Sequence, residues 1–247
     1  MRSIFKYCIS ILFLFAFLVS KGQEEEQEQD TTEVEEVKIP DSLRVRPSYI
    51  PTGLRIGTDL IQDIKGYKNV TFNGWEVNAD IDFYRYYLAV DYGQWAQITT
   101  IPNGRYNNDG KYVRFGVDVN MLKRDPDRNM FFMGLRYAHA SFSDSASYQI
   151  ENKVYGDRQK YLVNTNLTAD WLEVTTGLRV KIWKFFWMGY TVRLKFAPQV
   201  HGNGELQSYD IPGYGVSSRT AYWGFNYQIF FRIPVRKAPK VLNAKEN

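Results

Sequence analysis

The sequence has almost no cysteine and very little histidine. Its 247 residues contain one cysteine, Cys8, and two histidines, His139 and His201. A lone cysteine excludes an internal disulfide, and no group of cysteines and histidines has the spacing of a metal site. The HExxH, phosphate-loop and EF-hand motifs are also absent. We therefore expect no cofactor and no metal centre.

Long apolar runs are missing too, except at the N-terminus. There, Arg2 and Lys6 precede an apolar run at residues 9–19 that small residues follow. This layout predicts a secretory signal peptide over residues 1–22, with Cys8 inside it. Residues 23–50 have eight acidic residues between positions 24 and 36, which predicts a disordered, acidic periplasmic linker.

What the sequence does contain is a repeated alternation of large apolar residues with glycines and charged residues. In the first such segment, for example, Ile56 alternates with Arg55 and Gly57, and seven further segments show the same split. Because side chains alternate between the two faces of a strand, each segment predicts a strand with one apolar and one charged face. We expect the charged faces to line a narrow interior in which glycines provide space.

The connections between these eight segments alternate between long and short, as in an up-and-down membrane barrel. We predict that residues 51–235 form an all-β, eight-stranded antiparallel up-and-down transmembrane β-barrel in an outer membrane. Both termini would lie in the periplasm, and residues 236–247 would form a basic tail. The first strand is expected to reach Gln62, with a short turn at 125–127. Four loops are expected to point outward, at about residues 64–71, 99–110, 143–166 and 198–218.

The inward faces carry nearly equal numbers of acidic and basic residues. Side chains fill the lumen of an eight-stranded barrel, so buried charges there must pair to offset their desolvation. We predict a salt-bridge network, with an ion or solute path as the alternative. The residues assigned to it are Arg55, Asp59, Glu76, Asp80, Asp82, Asp91, Arg114, Asp118, Arg136, Glu173, Arg179, Lys181, Arg193 and Lys195.

Aromatic residues make up 16% of the chain and recur near the ends of the predicted strands. Membrane barrels place such residues at the two interfaces of the bilayer. The predicted aromatic girdle consists of Trp75, Tyr92, Trp95, Phe131, Trp183, Phe185, Trp223 and Phe231. The alternative is a soluble sandwich or barrel, which would bury the apolar faces and would not enclose so many charges.

Neither histidine falls in a recognisable catalytic spacing. His139 has the lipid-facing parity near the outer end of the fifth strand, and His201 lies in the last loop near Ser208 and Asp210. We therefore expect that the protein is not an enzyme, although a serine hydrolase at the outer rim is an alternative. Nucleic acid is not an expected partner, because the chain is exported and many bases alternate with acids inside strands.

Two sequence runs carry a family resemblance. Residues 168–184 (TADWLEVTTGLRVKIWK) and 189–196 (GYTVRLKF), together with a signal peptide before a mature chain that starts at Gln23, resemble an uncharacterised family of outer-membrane β-barrels from Bacteroidota. The resemblance covers about residues 50–235 and implies location and fold alone. The chain departs from the common barrel pattern because residues 235–247 follow the last aromatic strand.

These observations predict a structural or surface and partner-interaction role in the outer membrane. The expected partners are outer-membrane lipid and the barrel-assembly machinery. Two alternatives remain open from the sequence. The first is an accessory component of an envelope secretion or assembly machine that binds a periplasmic partner through residues 24–36. The second is an outer-membrane enzyme that modifies lipid or peptide.

Overall fold

A computed structural model describes residues 50–122, 128–150, 156–202 and 204–235. These residues belong to one compact unit. The expected signal peptide, the acidic linker up to residue 49, the turn at 125–127 and the basic tail lie outside the described residues. No helix in the described ranges is long and apolar enough to cross a membrane.

The described part of the chain is built almost entirely of antiparallel strands, with one short helix. In chain order the elements are β1 (Gly53–Asp59), α1 (Leu60–Lys68), β2 (Phe72–Phe83), β3 (Tyr86–Ile101), β4 (Gly104–Asn120), β5 (Met130–Ile150), β6 (Arg158–Trp183), β7 (Phe186–His201), β8 (Asp210–Ile211), β9 (Gly215–Val216) and β10 (Ala221–Pro234).

Eight of these strands close into a barrel in the ring order β1-β10-β7-β6-β5-β4-β3-β2. β1 closes the ring by pairing antiparallel with β10, from Gly53 opposite Pro234 to Asp59 opposite Gln228. Every other neighbouring pair in the ring is also antiparallel. The predicted all-β, eight-stranded up-and-down architecture is therefore confirmed. We call the end that holds Gly53 and Pro234 the near end, and the opposite end the far end.

The first strand is shorter than predicted, because a helix replaces its last residues and part of the expected loop at 64–71. Asp59 ends β1 and caps α1, since its carboxylate accepts a hydrogen bond from the backbone N–H of Ile61 (3.2 Å). Gln62 is buried and donates to the backbone oxygens of Trp75 (3.3 Å) and Gln94 (3.2 Å). These bonds hold the helix against the far end of the barrel.

Two of the predicted loops are instead the continuation of strands. β3 and β4 remain paired up to a tight turn at Pro102 and Asn103, and residues 108–110 pair with β5. β5 and β6 likewise continue as far as Ile150 and Arg158. Both faces of these extensions are rich in polar residues, so the apolar alternation that identifies a membrane-facing strand is missing from the sequence.

The outer surface of the barrel is apolar between the near end and the polar strand extensions. Side chains exposed there include Leu88, Val90, Phe115, Leu135, Leu172, Val174, Phe225 and Ile233, each 41–60% accessible. The inner face is crowded instead. A Cβ atom at Gly134, for example, would lie 2.1 Å from the Asp118 carboxylate. Glycine at this position therefore provides the space that a buried ionic group occupies.

Candidate functional site

Ten buried charged side chains from seven strands form a continuous chain of ion pairs inside the barrel. We call this set the lumen network. Its members are Arg55, Glu76, Asp80, Asp91, Arg114, Asp118, Arg136, Glu173, Arg179 and Arg193. All ten are among the predicted lumen residues, and each is at most 3% accessible.

Arg136 and Arg193 lie at the centre of the lumen network. Arg136 donates to the carboxylates of Asp91 and Asp118, the latter at 2.7 Å. Arg193 reaches Asp91 at 3.0 Å and Glu173 at 3.2 Å. A guanidinium group presents several donors in a fixed plane, so each arginine can bridge two carboxylates where a lysine would offer a single point charge.

Some of these pairs cross the whole barrel. Arg179 on β6 bonds Asp80 on β2 at 2.7 Å, and Arg193 on β7 reaches Asp91 on β3. In the eight-strand ring, β6 lies opposite β2 and β7 lies opposite β3. Side chains from opposite walls therefore meet in the middle, so they obstruct the lumen.

The lumen network contains as many cations as anions. Five arginines face five carboxylates, so the buried charges balance without a bound ion. Burying one charge costs on the order of several kcal/mol, and only a close partner with good geometry offsets that cost. The whole set is therefore interdependent, because removal of one member leaves its neighbours buried and underpaired.

The structure places the other predicted lumen residues at the margins of the network. The Asp59 carboxylate accepts a hydrogen bond from the Asn226 amide (2.6 Å), so β10 also contributes a side chain to the polar interior. Asp82 pairs with Arg232 at the near end (2.9 Å). Lys181 is partly buried near the same end. Lys195 lies at the far end of the lumen, and its bonds are described with the plug below.

Aromatic rings on the inward faces stack against the arginines, a feature that the sequence analysis missed. The Arg179 guanidinium carbon lies 4.7 Å from the ring centres of both Phe132 and Phe230. Arg55 lies 4.7 Å from the ring centre of Tyr87. Such contacts favour a guanidinium group that has lost its hydration. The sequence did contain a signal for this feature. Each of these aromatic residues has the same parity as the inward-facing charged residues of its strand.

Most of the predicted girdle residues lie on the outer surface of the barrel. Trp75, Tyr92, Phe131, Trp183, Phe185, Trp223 and Phe231 are all exposed there. Trp95 was predicted wrongly, because its side chain is partly buried and packs against the core at the far end. β3 continues without a bulge through this region, so Trp95 shares the inward parity of Asp91 and Gly93.

The last predicted outward loop instead folds into the mouth of the barrel. We call residues 204–220, which include β8 and β9, the plug. Ile211 and Tyr214 of the plug are fully buried. Small side chains of β5 and β6 leave the space that these two residues fill. The surrounding core consists of Tyr112, Ala138, Ala140, Phe142, Leu167, Ala169 and Trp171.

The plug is joined directly to the lumen network. The backbone oxygen of Gly213 accepts hydrogen bonds from Arg114 (2.9 Å) and from Lys195 (2.7 Å), and Lys195 also donates to the Tyr214 oxygen (3.0 Å). Gly213 has a φ of +80°, and a Cβ atom there would lie 2.6 Å from the Tyr112 ring. Only glycine meets both conditions at this position.

Polar side chains of the strand extensions hold the outer part of the plug. The Asp144 carboxylate accepts hydrogen bonds from Tyr106 (2.9 Å) and from Ser208 of the plug (2.6 Å). Asn108 donates to the backbone oxygen of Asp210 (2.7 Å). The extended ends of β4 and β5 thus form a socket for the plug.

Asp210 is a carboxylic acid of the plug with an altered proton affinity. Burial raises the pKa of Asp210 from 3.8 to about 6, although the charge of Lys195 and the indole of Trp95 act in the opposite direction. The folded plug therefore binds this proton more tightly than a detached plug would.

The two histidines lie on the outer surface at the far end, and one of them has a carboxylate partner. Nδ1 of His139 lies 2.7 Å from the Asp170 carboxylate. His201 is the last residue of β7 and is exposed. The prediction that His201 lies with Ser208 and Asp210 in one outward loop was wrong, because His201 belongs to β7 and the other two residues are buried in the plug. The His139–Asp170 contact was missed because it depends on the register between β5 and β6.

The fold and the site together define a closed eight-stranded barrel whose interior is filled by paired charges and a plug. The chain belongs to the family described as a domain of unknown function, DUF6048, whose model matches residues 4–238. No curated protein matches the chain.

Breaking the centre of the lumen network should destabilise the barrel. Arg136→Met leaves Asp91 and Asp118 buried without their main partner, so we expect the free energy of unfolding to fall by about 3–5 kcal/mol. Urea titration of the protein folded in detergent measures this change.

Lys160→Met is the matched control, because Lys160 forms an exposed ion pair with Glu205 at 3.6 Å. Such pairs contribute about 0–1 kcal/mol. Equal losses in the two variants would contradict the account of the lumen network.

Plug attachment should depend on pH through Asp210. Its raised pKa strengthens attachment at low pH, and this contribution is lost as the pH rises from 3.8 to about 6. Over the whole interval, the free energy of plug attachment that is lost amounts to roughly 3 kcal/mol. Hydrogen exchange of residues 208–216, corrected for intrinsic rates, should show a lower protection factor at pH 7.5 than at pH 4.5. Asp210→Asn should remove this difference, and an unchanged difference would contradict the assignment.

Proposed function

We propose that this chain is an outer-membrane β-barrel protein of Bacteroidota that is closed to solutes and has a structural or surface-interaction role. The observation that carries the proposal is the polarity of the wall: side chains such as Leu135 are exposed on the outside while Arg136, the next residue, is 1% accessible inside. In a bilayer this arrangement satisfies both faces, because lipid covers the apolar surface and closure of the ring pairs the backbone groups.

A soluble barrel would require the opposite arrangement. It would fill its lumen with apolar side chains and expose the charged ones to water, as small soluble barrels do. A continuous apolar band around a closed sheet is also far larger than the patches that monomeric soluble proteins expose. The distribution of polarity thus favours lipid as the medium around the wall.

The filled lumen favours a role other than transport. Arg179 and Asp80 join opposite walls, and above them Ile211 and Tyr214 fill the mouth. What remains for interaction with other molecules is the outer surface and the two ends of the barrel.

The near end of the barrel would face the periplasm. The short connections β2–β3 and β6–β7 lie there, as do the first and last described strand ends. Membrane barrels place short turns and termini on the periplasmic side. In this orientation the partners are outer-membrane lipid and the barrel-assembly machinery. The acidic residues 24–36 would be free to bind a periplasmic partner, which is the accessory role in an envelope machine.

Gel migration and conductance together test the proposal. The chain recovered from outer membranes should migrate faster on an SDS gel before boiling than after it, because a closed barrel resists SDS. The purified barrel should leave the conductance of a planar bilayer at its baseline. Recovery from the soluble fraction without a migration shift would contradict the membrane placement, and discrete channels would contradict the closed lumen.

A further inference from the structure

Outward-facing residues of β4, β5, β6 and β7 form three successive rows near the far end. The first row is apolar, the second contains a histidine and a carboxylate, and the third is polar. In strand order the rows are Phe115, Tyr137, Leu172 and Phe196; then Val113, His139, Asp170 and Gln199; then Lys111, Ser141, Thr168 and His201. The outer surface thus changes from apolar to polar within two steps along the strands.

The middle row holds an oriented imidazole. His139 Nδ1 lies 2.7 Å from Oδ1 of Asp170, and the Tyr137 hydroxyl donates to the same oxygen at 2.5 Å. An ionised carboxylate can only accept, so Nδ1 must donate its proton to Asp170. In the neutral ring, Nε2 then carries the lone pair and is able to accept a proton.

Ser141 lies on the same outward face of β5 as His139. It lies two residues beyond His139 on the same face of β5, a spacing of roughly 7 Å along a strand, which an imidazole side chain can bridge. Ser141 is exposed, and Thr168 is its cross-strand neighbour on β6. The outward face of β5 and β6 therefore carries a hydroxyl, a base and a carboxylate that orients the base, which are the three kinds of group that a serine hydrolase uses.

We propose that Ser141, His139 and Asp170 form a site that hydrolyses acyl esters of lipids at the outer boundary of the membrane. The inference rests on the proposed membrane placement and departs from the expectation that the chain is not an enzyme. Below the site, Tyr137 and Leu172 lie on the apolar wall. The ester groups of a lipid lie between its acyl chains and its polar head, which is the level at which these rows change character.

The reaction follows from the roles of the three side chains. Ser141 Oγ attacks the ester carbonyl carbon while His139 Nε2 takes the hydroxyl proton. The bond to the alcohol breaks, His139 returns the proton to the leaving oxygen, and the acyl group stays on Ser141. A water molecule, deprotonated by His139, then releases the fatty acid and restores the serine. Asp170 acts as a positioning residue through His139.

Neighbouring side chains suit a lipid substrate. Lys111 is the cross-strand neighbour of Ser141 on β4, and its ammonium group can pair with a lipid phosphate. The Thr168 hydroxyl, on the other side of Ser141, is a donor that can stabilise the oxyanion that forms during attack. The acyl chains would then extend along the apolar wall.

A covalent probe and an ester substrate test the site in the full chain purified in detergent. A fluorophosphonate probe should attach to Ser141, as mapped by mass spectrometry, and a long-chain p-nitrophenyl ester should be hydrolysed. Ser141→Ala should abolish labelling and lower turnover by roughly 10³-fold or more. His139→Ala should have a similar effect. Ser143→Ala is the control, because Ser143 is the next exposed serine of β5.

Asp170→Asn tests the positioning role. It removes the acceptor that fixes the imidazole, so kcat should fall by roughly 10²-fold or more while KM for the ester stays unchanged. Unaltered kinetics in this variant would contradict that role.

The outcomes separate this inference from the proposed function. Wild-type chain that shows the SDS migration shift, yet neither reacts with the probe nor hydrolyses the ester, would overturn the hydrolase and leave the membrane barrel standing. Labelling that persists in Ser141→Ala would also overturn it. Activity in a chain recovered from the soluble fraction without the shift would instead contradict the membrane placement.

Discussion

The pairing of buried charges across a narrow lumen is the constraint on which the rest of this structure depends. Arg136 pairs with two carboxylates and Arg193 with three, and both arginines are buried. Such a set is stable only if all its members are in place, because each unpaired buried charge costs on the order of several kcal/mol. Closure of the ring, the inward glycines and the position of the plug all follow from that requirement.

The plug provides partners for the buried cations at the far end of the lumen. Gly213 brings two backbone oxygens to Arg114 and Lys195, the last cations of the lumen, while Ile211 and Tyr214 fill an apolar pocket above them. The lumen is thus closed at two levels. Paired charged side chains fill its middle, and packed apolar side chains of the plug fill its mouth. What remains accessible is the outer wall, where the His139–Asp170 pair lies.

Much of the barrel could be predicted because alternation is a local signal. The strand containing Arg55 and Gly57, and the ten residues of the lumen network, follow from parity alone. Trp95 was misplaced because its interfacial residue type was given more weight than its parity. The plug and the His139–Asp170 contact could not be predicted, since both depend on pairings between distant residues. The strand extensions lacked an apolar face, so their polar residues resembled loops.

The most direct test of the inside-out barrel uses single cysteines carrying nitroxide spin labels in lipid bilayers. Leu135 and Val174 face outward, whereas Ala138 faces inward. Labels at the first two positions should be relaxed strongly by oxygen, which dissolves in lipid, and weakly by a water-soluble nickel complex. A label at Ala138 should respond to neither. Strong relaxation by the nickel complex at Leu135 and Val174 would contradict the account, because the apolar wall would then face water.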